Sequence, residues 1–281
     1  MAPNELDLPN LLRSRLTLVA TIAALKGGEI LKKGFGTPMN FENKGEGRHN
    51  LVTEWDNKAE AAIIESIKAH FPDHAFLAEE SGESGGAKGG IQWIIDPLDG
   101  TVNFAHKIPT FAVSIAAASQ NEILSGVIFN PMLNELFIAE KGNGAFLNGG
   151  KLKVTETAIL DSAIAATGFP YNVHENPLCC LDHFKAFASM GIPLRRMGSA
   201  ALDLAYVAAG RFDAFWEVSL RPWDYAAGML LIKEAGGQFT DFEKKPYSSL
   251  KEGPIVASNG ILHDQVVKKI KATLENKDAP T

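Results

Sequence analysis

The 281 residues are 46% apolar and 21% charged, near the globular average, so the chain is long enough to bury a sizeable core as one large domain or two smaller ones. With 27 basic against 33 acidic residues it carries a formal charge of −6, which lacks the basic footprint of a nucleic-acid binder and argues against direct nucleic-acid contact. Its two cysteines, Cys179 and Cys180, are adjacent, so no disulfide framework is available and a reducing, cytoplasmic location is expected.

Leu12, Leu16, Val19 and Ala23 recur at helical spacing and predict an amphipathic first helix. The apolar run Leu16–Leu25 inside it is too short to span a bilayer, and no membrane contact is expected. Residues Lys32 to His49, rich in glycine and charge, read as a mobile loop that is either a lid or a plain connector. Ala59, Ile63 and Ile67 then predict a second helix that stops before Pro72. Two short strands, "AFLAEES" and "IQWIID", flank the flexible turn "GESGGAKGG" and bring Glu79 and Asp96 to nearby places. The segments "FAVSIAAAS", "ILSGVIFNP", "ELFIAEKG" and "GAFLN" follow as an antiparallel meander.

Past about residue 155 strands and helices alternate. "AIAATG", "FDAFWEV" and "PIVASN" read as strands; Asn176–Met190, Ala200–Ala209, Trp223–Ala235 and Ile261–Leu274 read as helices. The chain therefore divides into an N-terminal α+β part, 1–152, and a C-terminal α/β part, 153–281.

The stretch "WIIDPLDGTVNFAH" carries the chemistry. Pro97 cannot continue the ladder of the strand that ends at Asp96, so the chain turns and aims Asp96 and Asp99 into one small space. Two carboxylates that close repel, and Lys88 and Lys107 lie outside the turn. A hard divalent cation with oxygen ligands answers the repulsion, Mg²⁺ more readily than zinc because the seven histidines form no convincing ligand pair. Taken alone, the two aspartates are also ordinary turn formers. Gly100 and Thr101 add a backbone cradle of the kind that holds phosphate. Further along, Asp224 opens a helix, where a capping acid is the ordinary reading.

With "NLVTEWDNKAE", "AFLAEES", "MGSAALDLAYVAAGRFDAFWE" and "WDYAAGMLLIKEAGG" added in this order, nearly the whole chain resembles the inositol monophosphatase family of metal-dependent, lithium-sensitive phosphatases. That resemblance implies a layered αβαβα sandwich of the sugar phosphatase type, commonly a homodimer. It implies Glu79, Asp96, Asp99, Asp224 and the carbonyl of Leu98 as ligands for two or three Mg²⁺ ions, with Asp96 bridging two. Glu79 and Thr101 would position and deprotonate the metal-activated water that attacks phosphorus in line, supported by Asp56, which reads equally as a helix cap. Gly100 and Thr101 would donate to the phosphate, Asp99 and Asp224 would border it, and Gly198, Ser199, Ala200 and Glu217 would surround the alcohol. Glu217 can accept two hydroxyl hydrogen bonds, which suits a polyol; as a residue it is otherwise an exposed strand-end acid. Lys44 falls where the family often places a lysine near the metals.

The implied activity is hydrolysis of inositol monophosphate to inositol and phosphate, dependent on Mg²⁺ and inhibited by Li⁺. Arg221, Arg195 and Arg196 keep a bisphosphate in view, since arginine suits bidentate phosphate binding. Fructose 1,6-bisphosphate, histidinol phosphate and 3′-phosphoadenosine nucleotides are thus the alternative substrates of the same chemistry. An alternative of another class is a binding protein with an RNA or protein partner.

Overall fold

The strands of the core are apolar on both faces, and the parity of their residues sorts them into different layers. The computed structural model describes residues 14–38, 41–43, 51–86, 90–120, 122–247 and 250–275. Its larger sheet has eight strands in the order β10-β9-β8-β7-β6-β5-β3-β4. These are β3 (Ala75–Ala78), β4 (Gly82–Gly85), β5 (Ile91–Asp99), β6 (Ala112–Ser119), β7 (Glu122–Asn130), β8 (Glu135–Glu140), β9 (Gly144–Leu147) and β10 (Gly150–Lys151). Within β5, Trp93 and Ile95 face one core while Ile94 faces another, as period-two alternation demands. All three are buried, which is why the sequence shows an unbroken apolar run instead of alternation.

The face with Trp93, Ile95, Ile115 and Val127 packs on α1 (Arg15–Gly34) and α2 (Glu54–Lys68) through Val19, Ala23, Ile63 and Ile67. A short helix, α3 (Thr101–Ala105), follows β5, and the opposite face packs on α5 (Ala200–Ala208) and α6 (Pro222–Glu234). Those two helices are buried on both sides, because Phe215, Ile255 and Ala257 of a second sheet close over them. The second sheet has five strands in the order β12-β11-β13-β15-β14, comprising β11 (Ala165–Thr167), β12 (Leu194–Arg195), β13 (Ala214–Leu220), β14 (Gln238–Thr240) and β15 (Gly253–Ser258). Its outer residues, among them Ala214, Trp216 and Val256, pack on α4 (Cys180–Ala188) and α7 (His263–Glu275). The layers therefore run helix, sheet, helix, sheet, helix, the expected αβαβα sandwich. No helix of the described residues is long and apolar enough to cross a membrane.

Several predicted boundaries shift. The first helix continues to Gly34, through Gly27 and Gly28, because those glycines are packing positions: a Cβ on Gly28 would sit 2.5 Å from the Phe129 ring. Leu12 lies outside the described residues, as does much of the predicted loop; its part at β1 (Phe41–Asn43) is a strand paired antiparallel with β2 (Leu51–Thr53). The turn after "AFLA" includes β4, paired antiparallel with β3. β5 runs past Pro97 to Asp99 by a register shift between Asp96 and Asp99, since proline interrupts the ladder locally and pairing resumes at Asp99 with Ala112. The helix expected from Asn176 starts at Cys180, after Asn176, Leu178 and Cys179 adopt left-handed backbone conformations that no helix tolerates. In the second sheet only β12, β11 and β13 are mutually parallel; β15 is antiparallel to both β13 and β14.

Candidate active site

Two strand ends and two helix starts bring acidic side chains to one place. β3 runs parallel to β5 with Ala78 opposite Ile95, and the Glu79 amide donates to the Ile95 carbonyl at 3.1 Å, so Glu79 leaves β3 beside Asp96. Asp96 is 2% exposed; its Oδ1 accepts the Leu98 amide at 3.0 Å, and its carboxyl hydrogen-bonds with Glu79. Burial, then the charges of Glu79, Asp99 and Asp224, push its pKa well up. The same influences, burial first and Asp99 next, raise Asp224.

Asp99 ties the two sheets together. Its Oδ2 accepts the Ser199 hydroxyl at 2.5 Å and the Ala201 amide at 2.7 Å, and Ala200 donates to it as well. Burial outweighs these donors, and the group rises to about 6. Ser199 Oγ also caps α5 by accepting the Leu202 amide. Helix α5 is thus anchored to the aspartate turn by its own cap. Gly100 has φ 98° and Gly198 φ 80°, and a Cβ on Gly100 would meet the Gly198 carbonyl at 3.2 Å, an approach that only glycine permits. Asn103 Nδ2 joins the same two segments, donating to Thr110 O at 2.7 Å and Met197 O at 2.8 Å.

Asp56 is fully buried in the first turn of α2. Its Oδ2 accepts the Thr53 amide at 2.8 Å and the Thr53 hydroxyl, so the capping role read from sequence is filled. Its Oδ1 remains for the Thr101 hydroxyl at 3.1 Å, and burial raises the acid to about 6. Thr101 has a second acceptor in the Leu98 carbonyl at 3.0 Å. Asp224 likewise serves its helix, accepting the Arg221 amide on Oδ2 at 2.7 Å, while its charge is felt by Asp96.

Glu217, an exposed strand-end acid by sequence alone, is instead buried in the middle of β13, paired with Ile255 just before a register shift, and burial, then the charge of Asp99, lifts it to about 8. A Cβ on Gly168 would fall 2.0 Å from its Oε2, so the glycine is what makes room for this carboxylate. Of the three arginines, Arg196 acts electrostatically on Glu217, whereas Arg221 pairs with Glu252 at 3.6 Å and lies over the Trp223 ring, and Arg195 bonds the Leu194 carbonyl. Lys44 and Lys88 lie outside the described residues.

Three residues had no part in the sequence reading. Glu60 is 4% exposed and holds the backbone after Glu79. Asp203 is 2% exposed, has an unpartnered Oδ1, and is raised by burial and then by Asp99 and Glu217. Both acids sit in otherwise apolar helical stretches, a signal that the motifs overshadowed. Gly168 gave none.

The donor set fits a hard cation. It is all oxygen, partly or wholly buried, and the charges acting most strongly on Asp96 and Asp224 are acidic. Among the described residues no three His, Cys, Asp or Glu side chains are arranged to hold a metal ion by themselves. Mg²⁺ needs no such arrangement, because it keeps waters and takes substrate oxygens as ligands.

Residues 12–275 match the model of the inositol monophosphatase family. A relative from Escherichia coli K12 named Nus factor SuhB is 43% identical over 259 residues, covering 92% of this chain and 95% of that protein. An inositol-1-monophosphatase from Rhizobium meliloti is also 43% identical, over 265 residues, covering 94% and 97%. The crystal structure of the extragenic suppressor protein SuhB from Bartonella henselae superposes with a TM-score of 0.86 at 41% identity, covering 92% of this chain and 99% of that one. A structure of an IMPase/NADP phosphatase complexed with Mg²⁺ and phosphate matches with a TM-score of 0.75 at 26% identity, covering 86% and 89%.

Proposed function

Because the chain belongs to the inositol monophosphatase family, whose membership supports phosphatase activity, we propose that it hydrolyses inositol monophosphate to inositol and phosphate in an Mg²⁺-dependent reaction inhibited by Li⁺. The observation that carries this reading is the convergence of Glu79, Asp96, Asp99 and Asp224, whose charges act on one another at the ends of β3 and β5 and the start of α6.

These four side chains and the Leu98 carbonyl would hold the cations. When bound, Mg²⁺ supplies Lewis-acid polarisation of water and phosphate and offsets charge on the departing oxygen. Thr101 has one hydroxyl hydrogen and two acceptors. Donating it to Asp56 frees the Leu98 carbonyl for a cation and turns the lone pairs of Thr101 Oγ1 toward the attacking water. Glu79, held beside Asp96, then takes the water's proton. The amides of Gly100 and Thr101 hold the phosphate, and Gly198, Ser199, Ala200 and Glu217 border the alcohol, with Glu217 accepting from two hydroxyls. We place the enzyme in the cytoplasm as a homodimer, following the reading of the cysteines and the family resemblance.

The test is phosphate release from myo-inositol 1-phosphate, fructose 1,6-bisphosphate, histidinol phosphate and 3′-phosphoadenosine 5′-phosphate, with Mg²⁺, with EDTA and with added Li⁺. Mg²⁺-dependent, Li⁺-inhibited release that prefers inositol phosphate is expected. A preference for a bisphosphate would keep the mechanism and make Arg196, whose charge reaches Glu217, the residue to mutate next. No release from any substrate would end the enzyme reading.

A second reading rests on the 43% identity to Nus factor SuhB, equal to that with the inositol-1-monophosphatase. A catalytically dead Asp99→Asn protein that still captures a transcription component as wild type does would support a role separate from catalysis.

A further inference from the structure

We infer that Glu60 is a positioning residue for the metal-binding edge of the site, an inference that rests on the phosphatase reading and on Glu79 as a ligand. Glu79 opens a three-residue turn between β3 and β4, whose flanking residues Ala78 and Gly82 are paired. On one side its own amide is fixed to Ile95 of β5. On the other, the next two amides both donate to one side chain: Glu80 to Glu60 Oε2 at 2.9 Å and Ser81 to Glu60 Oε1 at 3.0 Å. The backbone on both sides of Glu79 is therefore tied down, and the clamp comes from a residue twenty positions earlier.

The choice of a carboxylate is informative. Burying one is costly unless both oxygens are bonded, and here an amide donor meets each of them. Glutamine would present a single acceptor and turn its NH₂ toward an N–H, and alanine would leave two amides of the turn without their acceptor. Glu60 also stands one helical turn beyond Asp56, on the same face of α2. Asp56 reaches the Thr101 hydroxyl while Glu60 reaches the backbone after Glu79. One rigid helix thus sets the distance between the two groups that would handle the attacking water, its two acids standing about 6 Å apart along its axis. Outer partners of this kind commonly change metal affinity by roughly 10–100-fold when removed.

The experiment compares wild type, Glu60→Gln and Glu60→Ala by amide hydrogen exchange in the metal-free protein, by calorimetric Mg²⁺ binding without substrate, and by steady-state kinetics at saturating Mg²⁺. In Glu60→Ala, exchange at Glu80 and Ser81 should rise at least about tenfold with the rest of α2 and β5 unchanged, and Mg²⁺ affinity should fall by about tenfold or more. KM for the phosphate ester should stay within about twofold while kcat falls, and Glu60→Gln should recover part of both losses. Wild-type Mg²⁺ affinity in Glu60→Ala, or faster exchange spread over all of α2, would overturn the inference and leave Glu60 a general staple. Should the alanine protein not fold, Glu60→Gln decides: an unchanged Mg²⁺ affinity overturns the inference and an intermediate one upholds it. If wild type itself binds no Mg²⁺, the phosphatase reading fails and this inference with it, while the exchange data still report the clamp separately.

Discussion

Gly168 and Glu217 offer the sharpest test of the alcohol side of the site. With 2.0 Å between a Cβ on Gly168 and Oε2 of Glu217, alanine forces the carboxylate away, since that end of the side chain moves more easily than backbone. For Gly168→Ala we expect KM for inositol phosphate to rise about tenfold with kcat changed less than threefold, the size of a lost hydrogen bond. An unchanged KM would remove Glu217 from the substrate contacts. Asp96→Asn tests the other side. Its amide oxygen can keep the Leu98 bond and its NH₂ can donate to Glu79, so the shape survives while one charge leaves a group of repelling acids. Activity should fall by roughly a hundredfold or more. In EDTA the variant should melt a few degrees above wild type, and Mg²⁺ should raise its melting temperature far less. A metal-free variant that melts below wild type would show that repulsion in this cluster is not a cost to the fold.

At the scale of elements, α1 depends on small residues where its partners come close. Gly28→Ala would drive a methyl against the Phe129 ring and should cost roughly 1–3 kcal/mol of stability in urea denaturation, with kcat retained because Phe129 belongs to the core packed on α1 and α2 and bonds none of the acids. Such positions explain where sequence reading fell short. Helical periodicity placed the body of α1 at Leu16, Val19 and Ala23, but a Gly27-Gly28 pair looks like a terminus, and only the packing partner shows that it is an interior. "WIIDPLDG" announced the aspartate turn because proline and paired acids are local signals. The bulge that carries β5 to Asp99 was not legible, since it depends on pairing with Ala112. Asp56, Asp99 and Asp224 could be named from motifs, and the caps that Asp56 and Asp224 provide are local enough to read as well, but the bridge from Asp99 to Ser199 and Ala201 joins partners distant in sequence. Glu60 and Gly168 act wholly through such distant partners.

Across the whole molecule the site lies between layers that the acids hold together, and the outermost helical layer relies on neutral histidines. His263 is fully buried, with Nε2 against Thr240 Oγ1 at 2.8 Å and Nδ1 against Ser258 Oγ at 3.0 Å; burial lowers it to about 4, against a smaller raising effect of Asp264 and a lowering one of Lys244. His183, bonded to Thr273 and edge-on to Phe242, is lowered to about 4 by burial, with Asp182 opposing. A histidine whose folded pKa lies below its unfolded value favours the fold while neutral. Its contribution is therefore complete above about pH 6.5 and is lost as pH falls toward about 4, with a slope approaching ~1.4 kcal/mol per pH unit for each residue. Proton NMR should find both rings neutral at pH 5, and the outer layer should be the first part of the chain to lose exchange protection below that pH. Titration of His183 and His263 near pH 6.5 in the folded protein would mean that these rings are solvated, and the tight docking of α4 and α7 on the second sheet would have to be redrawn.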